Sequence, residues 1–471
     1  MKQQASKPLS GIHEKLIKLT QAWALRQPFD AEQARVLRRQ AILLNHKHYV
    51  ETIPAYQRLA KEAGIEKVVD VDPLIEHLMV SDDLFKSYSQ RWLDENDFTR
   101  MNQWLSFVHH RRVNVDVGDV RSIDGWIDRL GQHGVMPVYS SGTSGAFSFI
   151  PRDRAMWELV RMANTCYLLP LLTYNKLGSS WQRLLTRWAA AWLSPASFSQ
   201  AVSRLSVKPF DAVFLDFQGG RTGMQAIGEE LTSAFRRTTF LYPIRLSANV
   251  LRSLRRGPRS EDEFAAVKAV QAETLGRREE NYARVVASMR ASSLEHKNVF
   301  MFGTPALFKE LCETMVYSGQ RLALPAGSLI LFGGGWKGFG GERIPRDSLV
   351  SMISDRLGLT EARILEGYSM TEINVFTVRC DHGRFHIPPL VEPVILDDAL
   401  QPLAGHDLRG IFGFLDPLAT AYPGFVASGD EVHLVDEPCP CGLTGPAVVE
   451  IGRAKAREMK GCGGVMASLA A

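Results

Sequence analysis

The chain has 471 residues, of which 45% are hydrophobic and 23% charged, a balance typical of soluble globular proteins with a large core. Lys and Arg total 55 against 51 Asp and Glu, and the net charge of +4 is too small to indicate a nucleic-acid partner. The N-terminal "MKQQASKPLSGIHEKLIKL" lacks the apolar core of a signal peptide, and no apolar stretch approaches the roughly 18 residues of a membrane span. We therefore expect a cytoplasmic protein whose six cysteines are thiols, ligands or nucleophiles rather than disulfides.

In chain order, the sequence divides into four parts. Residues 1–135 are predicted to be a helical N-terminal region, because apolar residues recur at three- and four-residue spacing in "EQARVLRRQAILLNHKHYVETIPAYQRLAKEAG". Residues 136–385 alternate apolar strand-like runs, Gly-rich turns and helical periodicity, which predicts an α/β nucleotide-binding core. Short segments punctuated by Pro and Gly indicate a β-rich subdomain over 386–453, and 454–471 form a C-terminal tail.

The segment "VYSSGTSGAFSFIPRD", residues 138–153, has the composition of an anion-binding loop. Backbone amides without bulky side chains, together with several hydroxyl donors, can surround a phosphate group. The alternative is a flexible Ser/Gly loop at the surface. We predict that Arg152 supplies a counter-charge to the phosphates. The predicted phosphate cradle consists of Ser140, Ser141, Gly142, Thr143, Ser144 and Gly145.

A second glycine-rich segment, "FGGGWKGFGG", follows the strand-like "SLILF" and contains the spacing G-x-G-x-x-G from Gly333 to Gly338. A dinucleotide site would need a helix opening at this point and an acidic residue about 20 positions further on, at a strand end. Asp355 is at that distance but falls within the helical pattern "RDSLVSMISDRLG". We instead predict that Gly334 and Gly335 adjoin a nucleotide. Lys337 could contact a carboxylate or an α-phosphate, or equally be a solvated lysine.

Two further motifs, "EGYSMTE" and "SGD", fit the remaining parts of a nucleoside triphosphate. Tyr368 can stack on a base, and Thr371 can donate a hydrogen bond to an α-phosphate. Glu372 is a hard oxygen ligand of the kind that Mg²⁺ prefers. Asp430 can accept hydrogen bonds from both ribose hydroxyls, and Arg453 can contact the ribose or a phosphate. The order and combination of these motifs predict a site for ATP and Mg²⁺.

With these motifs the sequence resembles the adenylate-forming superfamily, which activates carboxylic acids as acyl-adenylates. Within it, "SSGTSGAFSFIPRD", "FGGGWKGF", "PCPCGLTGP" and "IGRAKAREMKGC" look most like the long-chain acyl-protein synthetase family of bacterial bioluminescence. The phenylacetate–CoA ligase group is next nearest. The resemblance covers about residues 136–471. It departs from the superfamily pattern in having Arg152 in place of a Lys after the glycines, and Ser369 in place of a Gly.

The resemblance implies the large domain of an adenylate-forming enzyme and an AMP-forming acid–thiol ligase. The substrate it implies is a carboxylic acid, fatty or otherwise apolar, and the acceptor a protein thiol, with a reductase or carrier as possible partner. The superfamily's mobile C-terminal domain is expected to be absent, because 454–471 cannot contain it. An acyl- or aryl-CoA ligase, an acyl-adenylate donor to a separate carrier or amine, and a catalytically idle nucleotide-binding protein remain alternatives.

One group of cysteines and a separate cysteine in the tail suggest further chemistry. Three cysteines and a histidine can complete a tetrahedral zinc site; the predicted set is Cys380, His386, Cys439 and Cys441. The alternative is four unrelated side chains beside a proline-shaped turn. In the tail, Cys462 lies between glycines and close to Lys460, so its sulfur is sterically open and its thiolate is favoured. The resemblance implies that Cys462 carries the acyl group; the alternative is an idle thiol.

Overall fold

A computed structural model describes residues 11–140, 146–172, 187, 189–205, 210–223, 225, 228, 232, 235–336 and 341–454. In this part of the chain, helices occur both before residue 135 and between the strands that follow it. The helices are α1 (Gly11–Ala24), α2 (Ala31–Thr52), α3 (Pro54–Glu62), α4 (Asp72–His77), α5 (Gln90–Asp94), α6 (Phe98–Val108), α7 (Ile123–Gln132), α8 (Arg154–Leu172), α9 (Pro195–Leu205), α10 (Ala248–Arg256), α11 (Glu261–Gln271), α12 (Arg278–Leu294), α13 (Pro305–Tyr317) and α14 (Arg346–Leu357).

The strands form three sheets. They are β1 (Val80–Ser81), β2 (Val135–Ser140), β3 (Ser148–Asp153), β4 (Phe210–Gly219), β5 (Arg237–Arg245), β6 (Asn298–Gly303), β7 (Leu329–Gly333), β8 (Ile364–Tyr368), β9 (Thr377–Val378), β10 (Phe385–His386), β11 (Glu392–Leu396), β12 (Asp407–Leu415), β13 (Phe425–Val435) and β14 (Ala447–Arg453). The first sheet has the order β5-β4-β6-β7-β8-β9, and its strands are parallel except for β9. The second has the order β10-β14-β13-β12-β11 and is antiparallel, with β1 added to β13 in parallel; β2 and β3 form a hairpin.

The parallel sheet forms because its strands are short apolar runs separated by helices. All five residues of β7, "LILFG", are buried, as expected for a strand covered on both faces. Helix α13 connects β6 to β7, and α14 connects β7 to β8. These helices and strands share one hydrophobic core, in which Met301, Phe332 and Ile353 are buried. The mixed α/β architecture agrees with the fold class predicted from the sequence.

The N-terminal helices pack on the antiparallel sheet rather than standing apart from it. In α7, the Ser122 hydroxyl accepts a hydrogen bond from the Gly125 amide and caps the first turn. Trp126 and Leu130 lie on its buried face and belong to the same hydrophobic core as Tyr422 and Phe425 of the C-terminal part. Residues before 135 therefore share a core with residues after 385.

The β2–β3 hairpin carries the predicted phosphate loop and is attached to the parallel sheet. The Tyr139 amide donates to the Arg221 carbonyl at 3.3 Å, and Tyr139 forms a bridge with Thr222 just beyond the end of β4. Ser140, the last residue of β2, is thereby held beside the carboxyl-terminal edge of the parallel sheet. Ligands of α/β proteins bind at this edge.

A histidine at the end of α6 predicts that the protein loses stability in mild acid. His109 is fully buried, and burial, followed by the nearby His110, lowers its pKa to about 4; Asp153 acts in the opposite direction. An unfolded histidine titrates near pH 6.5. Between about pH 6.5 and 4, the unfolded chain therefore binds a proton that the folded chain does not. As the pH is lowered through this range, the free energy of unfolding decreases by up to about 3 kcal/mol.

Urea unfolding at several pH values, on the wild type and on His109→Gln, measures this contribution. We expect the variant to show a shallower decline in stability between pH 6.5 and 4. Burial opposes ionisation of Asp153, but hydrogen bonds from His110 and the Met156 amide outweigh it and hold its pKa at about 2. The contribution of Asp153 is therefore lost at lower pH. An identical decline in the two proteins would contradict the assignment to His109.

Candidate active site

Two neighbouring strands bring the predicted glycine turn and the "GYSMTE" motif together. Strands β7 and β8 are parallel, with Gly333 opposite Gly367, so both motifs leave the sheet at the same edge. A Cβ at Gly333 would lie 2.9 Å from the Gly367 carbonyl oxygen, which requires glycine there. Gly334 and Gly335 are exposed and have φ angles of 78° and 62°, the left-handed region that glycine adopts without strain. The turn therefore presents backbone, without side chains, to this edge.

The predicted α-phosphate ligand lies beside the hairpin. A Cβ at Gly223 would lie 3.6 Å from the Thr371 hydroxyl and 3.9 Å from the Val138 side chain, so Thr371, Gly223 and β2 are neighbours. Ser140 ends β2 at this point. The other predicted phosphate-loop residues and the lysine of the glycine turn, namely Ser141, Gly142, Thr143, Ser144, Gly145 and Lys337, lie outside the described residues. Their roles stay predictions.

The tyrosine, aspartate and arginine predicted to hold the nucleoside are in contact. The Tyr368 hydroxyl donates to Asp430 Oδ2 at 3.1 Å, and Arg453 Nη1 lies 3.2 Å from Asp430 Oδ1. Burial and the adjacent Asp430 carboxylate raise the pKa of Tyr368 well above its usual value, so it stays a donor. A carboxylate has about four acceptor positions, so Asp430 can accept sugar hydroxyls in addition to these two partners.

Glu372 fits the requirements of a cation ligand. It is 8% exposed, and no Lys or Arg of the described chain forms an ion pair with it. Burial and the negative charge of Asp82 raise the pKa of Glu372, and the positive charges of Arg152 and Lys86 lower it. A buried carboxylate without a paired base is electrostatically unsatisfied, and a hard divalent cation would satisfy it. The donor type is thus suited to Mg²⁺.

Arg152 has a second role beyond the predicted counter-charge. Its side chain is buried, Nε donates to Asn374 Oδ1 at 3.0 Å, and Nη2 donates to the Thr371 carbonyl at 2.7 Å. The guanidinium also lies 5.7 Å from the centre of the Trp157 ring. Part of its hydrogen-bonding capacity therefore supports the backbone of the "GYSMTE" turn.

Sequence reasoning missed a contribution from the N-terminal region. Val80 and Ser81 of β1 pair with Val426 and Ala427 of β13, so the next residue, Asp82, reaches the "SGD" motif. Its Oδ2 lies 4.0 Å from the position of a Cβ at Gly429, and Lys86 Nζ is 3.5 Å from the same oxygen. A two-residue parallel pairing between distant segments leaves no recognisable pattern in the sequence.

The structure offers no support for the dinucleotide alternative. Asp355 lies inside α14 rather than at the end of a strand. Its carboxylate pairs with Arg321 and with Arg356, the latter at 2.9 Å. It is therefore not placed to accept hydrogen bonds from a ribose near the glycine turn.

The four residues of the predicted zinc set do come together. One ligand atom from each of Cys380, His386, Cys439 and Cys441 lies within 4.8 Å of the others. The Cys380 and Cys439 sulfurs are 3.8 Å apart, and Cys441 Sγ is 3.2 Å from His386 Nε2. Hydrogen bonding from the Cys441 thiol is the main factor that lowers the pKa of Cys380. Three sulfurs and one imidazole nitrogen at this spacing match the donor set and size of a tetrahedral zinc site.

Within the described residues, no helix is both long and apolar enough to cross a membrane.

The sequence of the chain is similar to one protein family and to two known ligases. The family model described as acyl-protein synthetase, LuxE, matches residues 259–470. The long-chain-fatty-acid–luciferin-component ligase of Aliivibrio fischeri is 28% identical over 177 residues, which are 37% of this chain and 46% of the relative. The protein of the same name from Vibrio harveyi is 27% identical over 191 residues, 40% of this chain and 50% of the relative. The match thus spans about half the length of these relatives.

Among solved structures, a 2-hydroxyisobutyryl-CoA ligase in complex with 2-HIB-AMP and CoA aligns with a TM-score of 0.48 and 14% identity, covering 89% of this chain and 68% of that one. ATP-bound MatB from Rhodopseudomonas palustris aligns with a TM-score of 0.32 and 14% identity, covering 68% and 48%. Together, the family model and the curated relatives confirm that the chain resembles the long-chain acyl-protein synthetases. The part that the family model matches begins just before α11 and includes all four residues of the cysteine cluster.

Proposed function

We propose that the protein is an ATP- and Mg²⁺-dependent ligase that activates a carboxylic acid as an acyl-adenylate and transfers the acyl group to a protein thiol. The observation that carries the proposal is that Thr371 lies beside Gly223 and β2, while Tyr368, at the end of β8, contacts Asp430. The two relatives are named as ligases for a long-chain fatty acid, which supports a fatty substrate.

In the proposed reaction, a carboxylate oxygen attacks the α-phosphorus of ATP, and the bond from that phosphorus to the bridging oxygen breaks as pyrophosphate leaves. Catalysis of this displacement is largely positioning and charge stabilisation. Asp430 would hold the ribose hydroxyls, and Thr371 and Ser140 would donate to phosphate oxygens. Glu372 would hold Mg²⁺, which when bound neutralises charge on the phosphates.

The test is an ATP–pyrophosphate exchange assay with a panel of carboxylic acids of increasing chain length. We expect exchange to depend on the acid and to be strongest for a long apolar chain. Adding CoA separates the alternatives: a CoA ligase would form acyl-CoA, whereas the proposed enzyme would form a protein thioester. Absence of acid-dependent exchange with every acid would favour a catalytically idle nucleotide-binding protein.

We also propose that Cys380, His386, Cys439 and Cys441 hold a structural Zn²⁺. The cluster joins the turn before β10 to the turn between β13 and β14, and β10 pairs with β14 beside it. A metal bound to all four ligands would fasten these segments of the antiparallel sheet. No open coordination position would remain for catalysis.

The zinc proposal predicts close to one Zn²⁺ per chain in protein purified without chelator. Replacing Cys439 with Ser should lower the metal content and the melting temperature together, because metal binding contributes to folding. A matched control is Cys312→Ser, which changes a buried cysteine outside the cluster and should leave the zinc content unchanged. Well under one zinc per wild-type chain, measured by mass spectrometry, would rule the site out.

A further inference from the structure

We infer that Asp416 and Tyr422 are positioning residues that set the orientation of the turn carrying Thr371 and Glu372. The inference deepens the proposed function and rests on its assignment of Glu372 to the metal. Neither residue belongs to a motif that sequence reasoning selected. Both are fully buried, and both reach the turn through side-chain hydrogen bonds.

The network begins at the Asp416 carboxylate. Its Oδ2 accepts hydrogen bonds from the backbone amide and from the side-chain Nδ2 of Asn374, each at 2.8 Å. Its Oδ1 accepts from the Leu418 amide at 2.8 Å. Three N–H donors therefore face this side chain, so the ionised form, which only accepts, is the one that fits.

The Asn374 side chain connects Asp416 to the backbone of the turn. Because its Nδ2 donates to Asp416 and to the Tyr422 hydroxyl, at 2.8 and 2.9 Å, its Oδ1 is left to accept from Arg152. Arg152 in turn donates to the Thr371 carbonyl. The orientation of the Asn374 amide is thus fixed by its partners on both sides.

A second branch passes through Tyr422. Its hydroxyl accepts from Asn374 and donates to the Glu372 carbonyl at 2.9 Å. The carbonyls of two successive residues, Thr371 and Glu372, are therefore both held by one network. Fixing two successive peptide groups fixes the backbone between them, and with it the direction in which the Glu372 side chain leaves the chain. A site that must place a charge accurately depends on such supporting contacts.

The N-terminal helices support the loop that carries Asp416. His13 of α1 and Asn45 of α2 both contact the Pro417 carbonyl, each at 3.0 Å. The Tyr49 hydroxyl of α2 donates to the Ala419 carbonyl. Helices α1 and α2 thus hold the loop from Asp416 to Ala419 in place, which gives this part of the N-terminal region a role in the site.

The test combines two variants of the network with a matched control. Tyr422→Phe removes only the hydroxyl, and Asp416→Asn places an amide where N–H donors converge. The control is Tyr56→Phe, since Tyr56 is also fully buried and its hydroxyl bonds His46 at 2.9 Å, between α2 and α3. Each Tyr→Phe change removes a buried, hydrogen-bonded hydroxyl and should lower the melting temperature by a similar amount. We expect Tyr422→Phe to lower exchange about tenfold and to raise the Mg²⁺ concentration needed for half-maximal exchange. The control Tyr56→Phe should do neither.

Two further measurements separate positioning from general stability. Titration with Mn²⁺ alone, followed by the free-ion EPR signal, should show weaker binding in Tyr422→Phe and in Asp416→Asn than in Tyr56→Phe and the wild type. In a double-mutant cycle, Tyr422→Phe should have almost no effect on exchange when Glu372 is already Gln, because it acts through that side chain. Equal losses in both backgrounds, or identical Mn²⁺ binding in Tyr422→Phe and Tyr56→Phe, would overturn the inference. Near-normal exchange in the single variant Glu372→Gln would instead overturn the assignment of Glu372 as metal ligand, on which the inference rests.

Discussion

Replacing Glu372 with Gln is expected to lower carboxylate-dependent pyrophosphate exchange by a factor of about 10², equivalent to about 2.7 kcal/mol of transition-state stabilisation. The variant keeps the size of the side chain but loses the charge that would hold Mg²⁺. Because the wild-type carboxylate is buried and no Lys or Arg of the described residues forms an ion pair with it, its charge is available to a cation. The loss should persist at saturating ATP, and added Mg²⁺ should restore part of it.

Glu366 provides a matched control for this substitution. It lies on β8, the strand before the turn that carries Glu372, and its carboxylate is paired with Arg346 at 3.2 Å and with Arg379 at 2.9 Å. Its charge is therefore already balanced by the protein. Glu366→Gln should change exchange by less than about twofold, since partly exposed ion pairs contribute little. If Glu372→Gln and Glu366→Gln behaved alike, Glu372 would not be the metal ligand.

Lowering the pH should weaken Mg²⁺ binding in the wild type, because protonation removes the charge of Glu372 as the Gln substitution does. Burial and the nearby Asp82 raise the pKa of Glu372, so its carboxylate takes up a proton at higher pH than an exposed glutamate. Metal affinity requires the ionised form, and exchange should therefore require more Mg²⁺ as the pH falls. This dependence should be absent in Glu372→Gln.

Much of the site could be predicted because its residues follow buried strands. Apolar runs that end in glycine or in a polar motif identify strand ends, and parallel strands bring those ends to one edge. The contact of Tyr368 and Arg453 with Asp430, and the convergence of Cys380 with Cys439, agree with groupings chosen from the sequence. In each case the grouping was chosen by residue type, and the chemical roles stay predictions.

The supporting residues could not be predicted, for a physical reason. Asp82 reaches the site through a two-residue strand pairing, and Asp416 acts through the amide of Asn374. Such contacts depend on how distant segments pack, and neither hydrophobic periodicity nor residue spacing contains that information. The helices before residue 135 were predictable from periodicity, but their packing against the antiparallel sheet was not.

The final prediction concerns the thiol that receives the acyl group. Of the chain's six cysteines, Cys166 and Cys312 are fully buried, and burial raises the pKa of each to about 12. Such thiols are poor nucleophiles, because the thiolate is the reactive form. The three in the cluster face one another and His386. Cys462 lies outside the described residues, but its sequence neighbours, glycines and cations, favour an accessible thiolate.

We therefore predict that Cys462→Ser retains carboxylate-dependent pyrophosphate exchange but loses thioester labelling of the protein by radioactive acid and ATP. The acyl-adenylate is a mixed anhydride, so the thiolate displaces AMP and the carbon–sulfur bond replaces the carbon–oxygen bond to phosphate. Cys166→Ser is the matched control, since the Cys166 thiol donates to the Pro195 carbonyl at 3.3 Å and a serine hydroxyl can do the same; this variant should be labelled normally. Hydroxylamine-labile label that persists on Cys462→Ser would assign the acceptor to another cysteine. Wild-type protein that supports exchange yet never becomes labelled would assign it to CoA, an amine or a separate carrier, because adenylation would then proceed without a thiol of this chain.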